Sequence, residues 1–122
     1  MKKKNYKGKV IKLKLEKCEG ICRVYSDEAL RFAKLLNESD EITSFEVNVL
    51  LEGLNSDLKG EYTSDFVIKK ADGLSVREVV DKNKLSKPLT CKELDSSRNF
   101  WLMRGVSDWG IILQKGKENE RD

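Results

Sequence analysis

Two acidic residues, Asp65 and Glu78, lie inside apolar-rich runs of the stretch Tyr62 to Lys82, YTSDFVIKKADGLSVREVVDK. Asp65 is followed by Phe66, Val67 and Ile68, and Glu78 sits among Val76, Val79 and Val80. Aspartate is poorly suited to a strand interior. A buried carboxylate is costly unless it is paired or bound to metal. Two carboxylates on neighbouring strands can hold one divalent cation; the plainer alternative is two solvent-facing charges. Asp72-Gly73 between apolar runs signals a hairpin, because a type I′ turn needs positive φ at both central positions. With Ala71 and Leu74 closing that turn, Asp65 lies opposite Val80 and Val67 opposite Glu78. Side chains alternate, so Asp65, Val67, Val76, Glu78 and Val80 share one face. Asp65 and Glu78 are then diagonal neighbours, about 7 Å apart at Cα. A slip of one residue would send them to opposite faces.

Composition narrows the chemistry. The 122 residues include no histidine. This excludes His-based catalysis, Cys-His nucleophile pairs and the usual zinc sites. A metal here would be oxygen-bound, which favours Mg²⁺ or Mn²⁺. Cys18, Cys22 and Cys91 are odd in number, lack zinc spacing, and read as reduced structural residues. Charged residues make up 37% and aromatics 7%. No apolar run is long enough to span a bilayer, and no apolar h-region follows the basic start MKKKNYKGK. Cytoplasmic residence is the expectation, with no membrane partner. The length fits a single domain over residues 1–122. Its core should run from about residue 9 to 114, with a basic N-terminal arm and a C-terminal tail that are flexible. A net charge of +3 permits nucleic-acid binding without demanding it. Lysines concentrate at Lys2, Lys3, Lys4, Lys7, Lys9, Lys12 and Lys14, and again at Lys82, Lys84 and Lys87. Such a cluster is either a solvated end or a set of phosphate contacts.

The elements that must position the two acids follow from periodicity. Lys9 to Glu16 alternates and predicts an edge strand or an arm. ICRVY is an extended piece. Ser26 suits an N-cap, with Asp27 and Glu28 at the positive end of a helix to about Asn37. Glu28 shares the inward side with Phe32 and Leu35, whereas Asp27 lines up with Arg31 and Lys34. Glu28 is therefore either a site residue or a complement to the helix dipole. Ser44 to Leu51 predicts a strand with Phe45, Val47, Val49 and Leu51 on one face. Glu52 to Gly60 predicts a turn, followed by hairpin strands at about 61–70 and 74–81. Thr90-Cys91-Lys92-Glu93 fits a capping box. The helix it opens runs to Arg104, with Leu94, Trp101 and Leu102 inward and Gly105 as its C′ residue. Asp108 to Gln114 predicts a last strand, parallel to a neighbour because it follows a crossover helix. The order helix, strand, strand, strand, helix, strand gives an α/β fold with a small mixed sheet flanked by helices.

That order resembles the restriction-endonuclease-like fold of PD-(D/E)xK nucleases, and within it the catalytic N-terminal domain of the TnsA endonucleases. Three pieces carry the likeness. Tyr62-Thr63-Ser64-Asp65-Phe66 is similar to the family's YTPDF strand. Val76-Arg77-Glu78-Val79-Val80 stands in the place of its acid-x-lysine strand. Lys92 to Leu113, KELDSSRNFWLMRGVSDWGIIL, is similar to its second helix and last strand. The likeness covers about residues 24–114.

The resemblance implies a metal-dependent DNA endonuclease subunit of a heteromeric cut-and-paste transposase. Such a subunit nicks the transposon 5′ ends by phosphodiester hydrolysis. It works on double-stranded DNA beside a TnsB-like transposase and a TnsC-like ATPase. Asp65 and Glu78 would be Mg²⁺ or Mn²⁺ ligands, with Val79 lending a carbonyl. Glu28 would match the helix acid. The motif lysine should stand at position 80, where this chain has Val80. Lys82 or Lys69 would have to serve instead. Loss of that lysine also implies the alternative: a catalytically weakened or inactive DNA-binding and assembly module of the same fold. The C-terminal helical domain common in that family has no counterpart in this sequence.

Overall fold

The computed structural model describes residues 10–52 and 62–115. The expected N-terminal arm, the tail from residue 116 and the turn beyond Glu52 lie outside the described residues. In chain order come β1 (Ile11–Leu13), β2 (Cys22–Val24), α1 (Asp27–Glu38), β3 (Ile42–Leu50), β4 (Thr63–Lys70) and β5 (Gly73–Asp81). A 3-10 turn (Lys82–Lys84), α2 (Pro88–Leu102) and β6 (Asp108–Gln114) follow. The sequence-predicted order helix, strand, strand, strand, helix, strand holds from α1 onward. Before it, β1 and β2 form a separate antiparallel pair, so the expected Lys9–Glu16 strand shortens to three residues.

Local chemistry starts and stops the helices. The Ser26 hydroxyl accepts the Ala29 N–H at 3.1 Å and caps α1. The capping box at Thr90 does not open α2. The helix starts two residues earlier, because Pro88 at its first turn has the required φ and no N–H to leave unpaired. Gly105, at φ 85°, ends the helix in the left-handed conformation. Val106 N–H there returns to Trp101 O at 2.9 Å. Leu102 is 44% exposed rather than inward; Ser97 and Trp101, one turn apart, take the buried face.

The four-stranded sheet has the order β3-β4-β5-β6. Its first three strands are antiparallel, and β6 lies parallel to β5 after the α2 crossover. Each helix covers one face. Ala29, Ala33 and Leu36 of α1 pack with Phe45, Phe66, Ile68 and Val79. Phe32 meets Phe66 edge-on at 5.0 Å between centroids. Trp101 of α2 packs with Leu51, Tyr62, Val76 and Val106, flanked by Val67 and Trp109. Phe66 and Val67 are consecutive yet belong to different clusters, so α1 and α2 lie on opposite faces.

Two corrections concern register. The hairpin closes at Lys70 paired with Gly73, leaving Ala71 and Asp72 at the tip. Neither tip residue has positive φ; Gly73 alone takes it, at 137°. The type I′ turn at Asp72-Gly73 is therefore not formed, because this turn concentrates its unusual geometry in the glycine. Val67 lies opposite Val76 instead of Glu78. This shift of two preserves facing, so it alone would leave both acids on one side.

The second correction reverses that. In β3, Phe45 and Val47 pack on the α1 side, but Leu51, just past its end, joins the α2 cluster. Tyr62, just before β4, packs on the α2 side, but Phe66 and Ile68 within it pack on the α1 side. Strict alternation would keep each set on one face. Between them sit Asn48, at φ 53°, and Asp65, and these two interrupt the β3–β4 pairing that runs in one register from Ser44–Lys69 to Leu50–Thr63. The reversal at Asn48 and Asp65 splits the predicted face Phe45, Val47, Val49, Leu51 in two. No helix among the described residues is long and apolar enough to cross a membrane.

Candidate functional site

Regular β4–β5 pairing is recorded from Lys70–Gly73 to Phe66–Arg77. Beyond Phe66 the two acids take up backbone donors with their side chains. Asp65 donates its N–H to Glu78 Oε1 at 3.0 Å, and Val79 donates its N–H to Asp65 Oδ2 at 2.7 Å. The carboxylates nevertheless leave the sheet in opposite directions.

Glu78 turns toward α2 and is fully buried, at 0% exposure. The Ser64 and Ser97 hydroxyls each donate to its Oε2 at 2.6 Å. Trp101 Nε1 donates to Ser64 Oγ at 3.1 Å, and Trp109 Nε1 to Ser97 Oγ at 3.0 Å. Each serine spends its one proton on Glu78 and accepts an indole N–H in return. The network ties β4, β5, α2 and β6 together, and its buried polar groups satisfy one another.

Asp65 turns the other way and is 5% exposed. It borders a pocket at the N-terminus of α1, with Ser26, Ala29, Asn48, Val79 and Gln114. Gln114 donates its Nε2 to Asp81 Oδ1, while its Oε1 is buried with no hydrogen-bond partner among the described residues. Val79 packs in the α1-side core, and Asp81, two residues on, shares its face. Beside Asp65, β5 therefore presents Val79 and Asp81, and not the expected pair Glu78 and Val80.

The other expected site residues scatter. Glu28 is half-buried in the first turn of α1, and its Oε2 accepts the Lys115 N–H at 3.2 Å. It pins α1 to the end of β6 and is not among the pocket-lining residues. Lys82 is exposed and opens the 3-10 turn, so it has left the strand face. Lys69 is exposed near the hairpin tip, paired with Leu74. Val80 is 6% exposed.

As a metal site, the pocket offers oxygen donors of the right kind in Asp65 and Gln114 Oε1; Glu78 faces away from it. Among the described residues no group of three or more His, Cys, Asp or Glu is placed to hold a metal ion. Gln114, Asn48, Ser64 and Ser97 are the residues sequence reasoning missed. Two left a signal: Asn48 is a strand-poor residue that tolerates positive φ, and Ser97 lies one helical turn before an inward tryptophan. Gln114 left none.

A second polar cluster lies near the hairpin end. Asp108 accepts from Ser75 Oγ at 2.5 Å, Arg77 Nη2 at 2.9 Å and Lys70 Nζ at 3.1 Å. The Ser75 hydrogen bond, then those of Arg77 and Lys70, hold its carboxyl well below the usual carboxylate range. It braces the β5–β6 pairing.

No protein-family model matches the chain, and no curated protein matches it. The functional reading rests on the chemistry of the two carboxylates.

Proposed function

We propose that this chain is a DNA-binding and assembly module of a heteromeric cut-and-paste transposase, of restriction-endonuclease-like fold, with its cleavage centre weakened or lost. The observation that carries this reading is Glu78. Its carboxylate is committed to Ser64, Ser97 and the Asp65 N–H on the α2 side, away from the Asp65 pocket. A buried valine at position 80 and a solvent-facing Lys82 leave the pocket without a lysine among the described residues. The strand order, with β6 parallel to β5, supports the fold assignment. Exposed Lys82, Lys84 and Lys87 follow β5, and Lys84 Nζ stands 4.0 Å from Asp81, whose partner Gln114 lines the pocket. That basic connector is where duplex phosphates would approach, with TnsB-like and TnsC-like proteins as partners. Binding through phosphates weakens steeply with salt. A plasmid-nicking assay with Mg²⁺ or Mn²⁺, with and without the transposase partner, tests the reading. DNA binding without nicking is expected, with a shallower salt slope in a Lys82, Lys84, Lys87→Ala triple variant. Metal-dependent nicking that Asp65→Ala removes would overturn it.

A second reading, the Mg²⁺-dependent endonuclease nicking transposon 5′ ends, is favoured by the buried, unpartnered Gln114 Oε1 beside Asp65. Asp65 and Gln114 would hold the cation, which supplies a polarised water and neutralises phosphate charge. Asp81 would orient Gln114 through its Nε2. Mn²⁺ titration calorimetry separates the readings: binding lost in both Asp65→Ala and Gln114→Ala, yet kept in Glu78→Gln, supports the second.

A further inference from the structure

We propose that the β6 edge docks a second copy of this chain, the two β6 strands pairing antiparallel about a two-fold axis at Ile111. This goes beyond the transposase reading and stands without it. Among the described residues β6 has a strand neighbour on one side only, so alternate residues present their N–H and C=O groups outward. Proteins normally blunt such an edge with lysine, proline, a bulge or a covering segment. The opposite edge, β3, is blunted in these ways. Its register shifts between Ile42 and Ser44, Asn48 kinks it, and the Lys17–Glu19 segment hydrogen-bonds Phe45 at 2.9 and 3.0 Å. β6, DWGIILQ, holds no lysine or proline, pairs with β5 in unbroken register, and is covered by no segment among the described residues. Its one charge is its first residue, and that carboxylate is held inward by Arg77 and Lys70.

The strand is complementary to itself. Pairing about Ile111 sets Trp109 opposite Leu113 of the second copy, and Gly110 opposite Ile112. The exposed side chains Ile111 (39%) and Leu113 (43%) lie on the same face as Trp109, which packs against the α2 cluster. The antiparallel pair joins them into one apolar stripe across the axis. On the other face Gly110 leaves room for the second copy's Ile112. The Arg77 side chain floors that space, with Cδ 3.5 Å from where a β-carbon would sit. At the ends, Asp108 falls opposite Gln114, so no like charges meet across the axis. α1 reaches β6 at its Ile112–Lys115 end, so in an antiparallel pair the two α1 helices sit over opposite ends and do not collide.

Sedimentation velocity of the full chain at rising concentration tests this. The expected mass approaches twice 14.0 kDa and returns to the single value in Ile111→Lys. Leu35→Lys, at a more exposed leucine on α1 (63%), should leave the dimer intact. A cross-linking arm covers failure of Ile111→Lys to fold. In a Cys91→Ser background, Ile111→Cys should give a disulfide dimer under mild oxidation, because residues directly opposite across antiparallel strands are about 4.5–5.5 Å apart at Cα. Leu35→Cys should not. A monomer at all concentrations, a dimer indifferent to Ile111→Lys, or no cross-link in the Ile111→Cys protein would overturn the proposal.

Discussion

Asp65 gives its backbone N–H to the Glu78 carboxylate at 3.0 Å, and yet its own carboxylate opens onto the opposite face of the sheet. Adjacency of two acids in a hairpin is therefore not convergence. Glu78→Ala tests what this costs the fold. The change strands two serine hydroxyls and the Asp65 N–H in a dry site. The expected loss is about 3 kcal/mol of unfolding free energy, since each buried unsatisfied polar group costs about 1–3 kcal/mol. Glu78→Gln keeps an acceptor and should lose less. Urea denaturation measures both, and a loss below about 1 kcal/mol in Glu78→Ala would show that water replaces the network freely.

Asp108 contributes to the acid limb of stability. Hydrogen bonds from Ser75, Arg77 and Lys70 lower its pKa in the folded chain. A depressed carboxylate contributes stability that is fully present above the unfolded pKa, near 3.9, and lost as pH falls below it. Its side chain is 43% exposed, so solvent screens much of the gain. Asp108→Asn should flatten the fall in melting temperature below about pH 4 and leave the neutral-pH shape of the curve unchanged. Parallel curves for the two proteins across that range would refute this.

The order of elements was legible because each rests on a local signal: Ser26 as cap, Gly105 as stop, Asp-Gly near a turn, an alternating run at Phe45 and a short apolar run at Trp109 to Leu113. The site was legible only in its residue types. Facing along β3 and β4 depends on a reversal at Asn48 and Asp65, where a single residue's φ overrides the period of two. No count of alternation detects that. The Glu78 partners come from positions 64 and 97. Their meeting depends on how α2 packs across the sheet, which local pattern does not encode. Gln114 is similar: a polar residue at the end of a strand reads as solvent-facing until α1 is laid over it.

The three cysteines should separate cleanly by reactivity. Burial, then the neighbouring Cys18 thiol, pushes the Cys22 thiol up to about 12. Burial likewise raises Cys18. Cys91 is exposed. Because the thiolate is the nucleophile, one thiol per chain should react rapidly with an aromatic disulfide reagent at pH 8, and Cys91→Ser should abolish that phase. The other two should react on unfolding. The Cys22 shift also makes stability fall as pH rises above the free-thiol value of 9.0, because the unfolded chain releases that proton first. Two rapid equivalents in the native protein would contradict the buried placement.

Asn48 is the residue on which the facing of the pocket turns. It holds φ at 53° and donates its Nδ2 to Arg23 O at 3.2 Å, tying β3 to β2. Glycine tolerates that φ, so Asn48→Gly loses only the side-chain hydrogen bond, about 1 kcal/mol. Valine does not tolerate it, and Asn48→Val should cost about 1–3 kcal/mol in backbone strain besides. If the strand relieves the strain by restoring regular alternation, Asp65 leaves the pocket and Val79 loses its acceptor. Hydrogen exchange then reads the outcome directly. The Val79 amide should exchange faster in Asn48→Val than in Asn48→Gly, while the Ile68 amide on the regular part of β4 stays protected in both. Equal protection of Val79 in the two variants would mean that Asp65 is held in place by the β5 backbone and α1 alone, and that Asn48 follows the reversal without causing it.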